Sequence, residues 1–162
     1  VNISTIDLRL LTADEWEVFR RVRLRALADS PQFFGSTLAE AQARTEADWR
    51  AALVDRAQFV ASADGVELGT VAGMPDFKHD GVHLISMWVA PEARGTGVAD
   101  MLVRAVLDWA GAGGHKVVRL EFADGNTVAE RLYLRHGFVR TGVSGFVRPG
   151  EPQIEYEMVR NL

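Results

Sequence analysis

His83-Leu-Ile-Ser-Met-Trp-Val89-Ala-Pro91-Glu-Ala-Arg94-Gly95-Thr96-Gly97-Val98-Ala99-Asp100-Met101 reads as a strand, a turn and the opening of a helix, and the rest of the chain is arranged around it. His83 to Val89 is apolar and ends in a β-branched residue, as a strand beside a core should. Pro91-Glu92-Ala93 breaks the run, and Arg94-Gly95-Thr96-Gly97 turns it. From Val98 the period changes: Val98, Met101, Leu102, Ala105, Val106 and Trp109 fall on one helical face, while Asp100, Arg104 and Asp108 fall on the other. A glycine-rich turn that opens a helix leaves several backbone N–H groups without partners, aimed at one point. The positive end of the helix dipole stands behind them, so that point suits an anion, most naturally a phosphate. Arg94 adds a formal charge at its rim. Two glycines before a helix can also be no more than a tight turn, which needs them for its backbone angles.

A second pattern lies downstream. The turn, Val89-x-Pro91-x-x-Arg94-Gly95-x-Gly97-x-Ala99, resembles the acyl-CoA pyrophosphate loop of the GNAT superfamily of N-acetyltransferases. Asn126-x-x-Ala129-x-x-Leu132-Tyr133-x-x-x-Gly137-Phe138 is similar to that superfamily's second signature, and the two stand in the right order. The resemblance implies acetyl-CoA as cosubstrate, with Trp88, Val89, Arg94, Gly95, Thr96, Gly97, Val98, Ala99, Asn126 and Tyr133 around it. It also implies that the acceptor is a primary amine: a small amine or a protein or peptide N-terminus. Phe33, Phe34 and Phe146 are the expected acceptor-side residues, because the segment joining the first two helices borders the acceptor pocket in this superfamily. The plainer reading is that Phe33 and Phe34 close the core beneath a loop.

Acetyl transfer makes three chemical demands. An ammonium with a pKa near 10.4 is neutral only about once in 10³ at pH 7, so a base or a water chain is needed. The tetrahedral intermediate wants a donor at its oxyanion, which backbone N–H groups near Trp88 or Val89 could supply. The departing thiolate needs a proton, and the resemblance assigns that role to Tyr133, although a tyrosine on an amphipathic helix is ordinarily core packing. Asn126 is expected to contact the pantetheine arm or to cap the helix that follows it. For the base, Glu121 is preferred: flanked by Leu120 and Phe122 on a strand, it points opposite to them. Leu120-Glu121-Phe122 also looks like the Leu-Glu-Val that carries the base in the branch acetylating protein N-termini. A strand glutamate more commonly ends as a solvent-exposed carboxylate. Ser86 is a weaker candidate, able only to position water.

Outward from these motifs, Ile6 to Leu10 alternates as a first strand, and Thr12-x-x-Glu15 forms a capping box. The following helix buries Trp16, Phe19, Val22, Ala26 and Leu27, with Arg20, Arg21, Arg23 and Arg25 expected on a solvated face. A second helix is expected from Glu40 to Leu53, and a hairpin joins Phe59–Ala63 to Leu68–Gly73 through Asp64-Gly65. Gly111 to Gly114 ends the central helix, Lys116 to Phe122 is a strand, and Thr127 to Arg135 is a helix. Phe138–Phe146 and Gln153–Met158 are the last strands. Helix–strand alternation gives the central strand a parallel neighbour. The expectation is one α/β (α+β) domain over residues 1–162, with about seven strands in a mixed, mostly antiparallel sheet and about four helices. The resemblance adds that the parallel strands splay.

At 162 residues, with 48% hydrophobic and 25% charged residues, the chain can bury a genuine core. No apolar run spans a membrane and no signal-peptide pattern opens the chain, so the cytoplasm is the default compartment. The absence of cysteine excludes disulfides and thiol nucleophiles, and the four histidines lack metal-ligand spacing, so no metal is expected. A net charge of −4 argues mildly against a nucleic-acid surface. The expected partners are acetyl-CoA and an amine, without nucleic acid or membrane, and with room for a homodimer. Two other classes stay open. Strand, Gly-x-Gly, helix and a later Glu121 imitate a dinucleotide-binding oxidoreductase, although Asp100 replaces the third glycine and Pro91 to Arg94 intervenes. The other is a GNAT-fold acyl-CoA sensor without turnover, against which Asn126 and Tyr133 both speak.

Overall fold

The computed structural model describes residues 5–162. Seven strands, β1 (Asp7–Leu10), β2 (Ala57–Ala63), β3 (Val66–Pro75), β4 (Val82–Val89), β5 (Val117–Ala123), β6 (Val139–Phe146) and β7 (Ile154–Asn161), form one sheet. Its order is β1-β2-β3-β4-β5-β7-β6. Every neighbouring pair is antiparallel except β4 and β5. That parallel pair is short. It holds only at Val82 opposite Val118 and His83 opposite Arg119, after which the two strands part.

Five helices cover the two faces: α1 (Trp16–Asp29), α2 (Leu38–Gln42), α3 (Glu46–Val54), α4 (Val98–Ala112) and α5 (Thr127–Arg135). Alternation along β5 sends Val118, Leu120 and Phe122 to one face, where they pack with Leu102, Val106 and Ala110 of α4 and Leu132 and Tyr133 of α5. On the other face Phe19 and Val22 of α1 and Trp49 of α3 close over Val60, Trp88 and Ala90. Phe19 meets the edge of Trp49 with ring centroids 5.1 Å apart, and neither ring reaches solvent. Burying one such side chain contributes about 1.5–3 kcal/mol.

The structure departs from the sequence reading in several places; Trp16, expected in the buried stripe of α1, is only half-buried. The helix expected from Glu40 to Leu53 is two, because Thr37 and Thr45 each start a helix: their hydroxyls accept the N–H of Glu40 (3.1 Å) and of Asp48 (3.2 Å). That raises the helix count to five. Arg23 is not on a solvated face; it is 8% exposed, inside the layer formed by α1 and the segment that follows it. The buried stripe of α4 is turned slightly, so that Val103, Leu107 and Ala110 are buried while Met101, Ala105 and Trp109 are only half-buried. The last strand runs to Asn161, its extra residues continuing the ladder to Val117. No helix among the described residues is long and apolar enough to cross a membrane.

Candidate active site

The parting of β4 and β5 opens a cleft of about 850 Å³. Its walls are β4 from Leu84 to Val89 and β5 from Glu121 to Ala123. The β4 wall is irregular. Between Thr70–Trp88 and Ala72–Ile85, β4 uses one residue more than β3, so a bulge falls at Ser86 and Met87. Ser86 takes the strain with φ = 60°, a left-handed conformation rare for a residue with a side chain. A bulge removes backbone N–H groups from the ladder, and here it does so on the wall of the cleft.

At one end of the cleft the turn before α4 brings in Arg94, Gly95, Gly97 and Ala99. Gly95 (φ = 77°) and Gly97 (φ = 90°) both occupy the left-handed region, where any other residue would be strained by about 1–2 kcal/mol. Thr96 turns away to donate its hydroxyl to the Ala93 carbonyl, and Val98 is fully buried as the first residue of α4. Arg94 has partners the sequence did not disclose: its Nε donates to the Val89 carbonyl (3.1 Å) and its Nη2 to Asp29 (2.6 Å). Asp29, the last residue of α1, also accepts the Trp88 indole N–H (3.0 Å) and the Ser30 hydroxyl (2.7 Å). Those donors, the indole first, hold its carboxyl below the usual range despite some burial, and Arg94 adds to them. One carboxylate therefore ties the end of α1 to both the β4 wall and the glycine turn.

Across the fork, Asn126 accepts the Ala129 N–H (3.2 Å) as N-cap of α5, and its residue lines the cleft. Tyr133, one helix face further on, lines the cleft with its ring against Phe138 (5.8 Å between centroids). Burial pushes its hydroxyl pKa well above the ordinary value, so it keeps its proton at any working pH. Phe33 and Phe34 also line the cleft. They are held by the turn between β6 and β7, whose Arg148 donates to the carbonyls of Phe34 (2.7 Å) and Pro31 (3.3 Å). Phe146 is not gathered with them: it lies at the end of β6, 64% exposed, and lines neither the cleft nor its neighbour.

That neighbour is a second hollow of about 410 Å³. It is lined by the carboxylates of Asp76, Glu121, Glu155 and Glu157, against the cations Lys78 and Arg119. Arg119 is spent between Asp76 (3.6 Å) and Glu157 (3.3 Å). Glu121 is hydrogen-bonded to His83 Nε2. That bond raises the His83 pKa against the opposing effect of burial, and the charges of Glu121, Asp76 and Glu155 raise it further. Sequence reasoning missed His83. The signal was the parallel pairing: with His83 opposite Arg119, residues 83 and 121 share the sheet face away from α4. Among the described residues Glu121 alone lines both the cleft and the acidic hollow. Among the described residues no three His, Asp or Glu side chains gather as metal ligands.

A fork between parallel strands, a bulged β4 and a glycine turn at the head of α4 meet around one cleft. The chain belongs to the acetyltransferase (GNAT) family, whose family model matches residues 22–138. It is 31% identical over 159 residues to the mycothiol acetyltransferase of Cellulomonas flavigena, covering 89% of this chain but 44% of that protein. The chain thus spans under half the length of that curated relative. Among solved structures, a GNAT-family acetyltransferase from Streptococcus pneumoniae superposes with a TM-score of 0.78 at 19% identity, over 97% of this chain and 99% of the other. The spermidine N-acetyltransferase of Vibrio cholerae, solved with CoA and spermine, gives 0.74 at 20% identity over 98% and 96%.

Proposed function

We propose that this chain is a single acyl-CoA-dependent N-acetyltransferase domain that moves the acetyl group of acetyl-CoA directly to a primary amine within a ternary complex. The observation that carries this reading is the position of Glu121, exposed at once to the large cleft and to the acidic hollow. A thioester in the cleft and a cationic amine in the hollow would meet at that residue. The glycine turn suits the pyrophosphate through its backbone N–H groups and the α4 dipole, and the fork suits a narrow arm reaching toward Glu121. The acidic lining favours an ammonium over a neutral or anionic acceptor.

The proton balance follows from the groups present. The bound ammonium gives one proton to the Glu121–His83 pair, and the free amine attacks the thioester carbonyl carbon. A C–N bond forms, and the oxyanion faces backbone N–H groups of the bulged stretch near Trp88 and Val89. The C–S bond then breaks, and Tyr133 passes its proton to the thiolate. The second amine proton leaves through the same pair to solvent, and a proton returns to Tyr133, leaving amide and thiol as products. Titration calorimetry with CoA and NADH, followed by free-thiol release from acetyl-CoA across a panel of amines, tests this reading. CoA should bind and NADH should not. Tyr133→Phe should lower kcat by roughly 10²–10⁴-fold with little change in cofactor affinity. Full turnover in that variant removes the acid role, and tight CoA binding without turnover on any amine favours a sensor.

A further inference from the structure

Three arginines stand around the aromatic layer that joins α1, α2 and α3. The Arg23 guanidinium lies over the Phe34 ring (4.9 Å), that of Arg44 over Trp49 (5.1 Å) and that of Arg56 near Phe19 (5.9 Å). Phe19 and Trp49 touch edge to face, and all three rings belong to one cluster of packed side chains. Arg23 is 8% exposed, and its Nη1 is buried with no hydrogen-bond partner; the Nε of Arg56 is buried in the same condition. Among the described residues none of the three arginines has an ion pair, whereas the half-buried Arg119 is paired with Asp76 and Glu157.

An aromatic ring attracts a guanidinium through its face but offers no acceptor in the guanidinium plane. The in-plane N–H donors therefore remain unfilled, a costly state for a buried group. The nearest acids do not fill it: Asp48 is bonded to the backbone N–H and hydroxyl of Thr45, and Asp55 acts on Arg56 only at a distance. Burial, with the charges of Arg44 and Arg56, pushes the Arg23 pKa down to about 10, which still leaves it cationic at neutral pH.

We propose that Arg23, Arg44 and Arg56 form a receptor for one small oxyanion, a carboxylate or a phosphate group, seated where α1, the turn between α2 and α3, and the approach to β2 meet. Guanidinium forks match the paired oxygens of those groups, and one such ligand would fill the orphaned donors and cancel the like-charge repulsion. None of the three arginines lines the cleft or the acidic hollow, so the site is separate from acetyl transfer. It touches that machinery only through Phe34, whose ring Arg23 covers and which forms the cleft wall.

The test uses the whole chain and needs no acetyl-CoA. Thermal unfolding is followed against inorganic phosphate and against succinate, each at ionic strength matched with chloride. One or both should raise Tm saturably, by roughly 5–10 °C at a hundredfold excess over Kd. A response to phosphate alone or to succinate alone assigns the ligand class. In Arg44→Gln and in Arg56→Gln, both changes at half-buried residues, the affinity for that anion should fall at least tenfold. In Gly97→Ala, which alters the turn at α4, it should persist. A response equal in Arg44→Gln and wild type, one lost in Gly97→Ala but kept in Arg44→Gln, or a Tm that tracks ionic strength whatever the anion would each overturn the proposal.

Discussion

Tyr133 and Glu121 are single residues whose proposed roles are set in opposite environments. Tyr133 is buried, which raises its pKa and keeps it protonated. Glu121 is shared between two openings and paired with His83, so a proton arriving from either side has somewhere to go. His83 in the folded state has its pKa raised above the ordinary 6.5, so its stabilising contact is complete below about pH 6.5 and fades as pH rises through the folded value. His83→Asn should therefore be less stable than wild type near pH 6, with the gap in Tm narrowing toward pH 9. The acid limb of kcat/KM should also move to lower pH in that variant, because the remaining proton acceptor is a carboxylate. An acid limb that stays where it was would show that His83 takes no share of the proton.

At the scale of elements, α5 and its cap show how one side chain can serve two ends. Asn126 caps α5 through Ala129 and also faces the cleft. Asn126→Ala should cost about 1 kcal/mol of stability, read from denaturant unfolding, and also weaken CoA binding. Asn126→Asp should keep the cap and the stability while losing CoA affinity, since a carboxylate cannot donate. Unchanged CoA affinity in the aspartate variant would leave the residue as a cap and no more. This element, with the glycine turn and α4, was legible in the sequence because local chemistry specifies it: caps, turn glycines and a helical period. The break between α2 and α3 was also written locally, in Thr45-x-x-Asp48, but an apolar pattern running through it concealed the break. The burial of Arg23 and the meeting of His83 with Glu121 were not legible locally. They depend on which strands pair and how the layer over α1 closes, and those contacts join residues far apart in the chain. Phe146 shows the same limit from the other side, an aromatic near the right turn that the ladder with Ile154 carries away from the cleft.

For the molecule as a whole, the brief parallel contact of β4 and β5 is the decisive feature. Two residue pairs are all the ladder that connects the β1–β4 half of the sheet to the β5–β7–β6 half. Below that contact, the seam is held by α4 and α5 and, when present, by whatever lies between the strands. A bound pantetheine arm would then be a keystone, supplying hydrogen-bond partners that a continuous sheet would have drawn from its own backbone. Amides of Ser86–Trp88 and of Glu121–Ala123, on the two banks, should exchange with deuterium more slowly once CoA is added. Protection confined to the Arg94–Ala99 turn would mean that the ligand stays on one bank. If both banks respond, stability becomes a report on supply: at about a hundredfold excess of ligand over Kd the fold gains about 2.7 kcal/mol. A cell short of CoA would then hold a softer protein as well as an idle one, and proteolysis would remove the copies that had no cofactor to use.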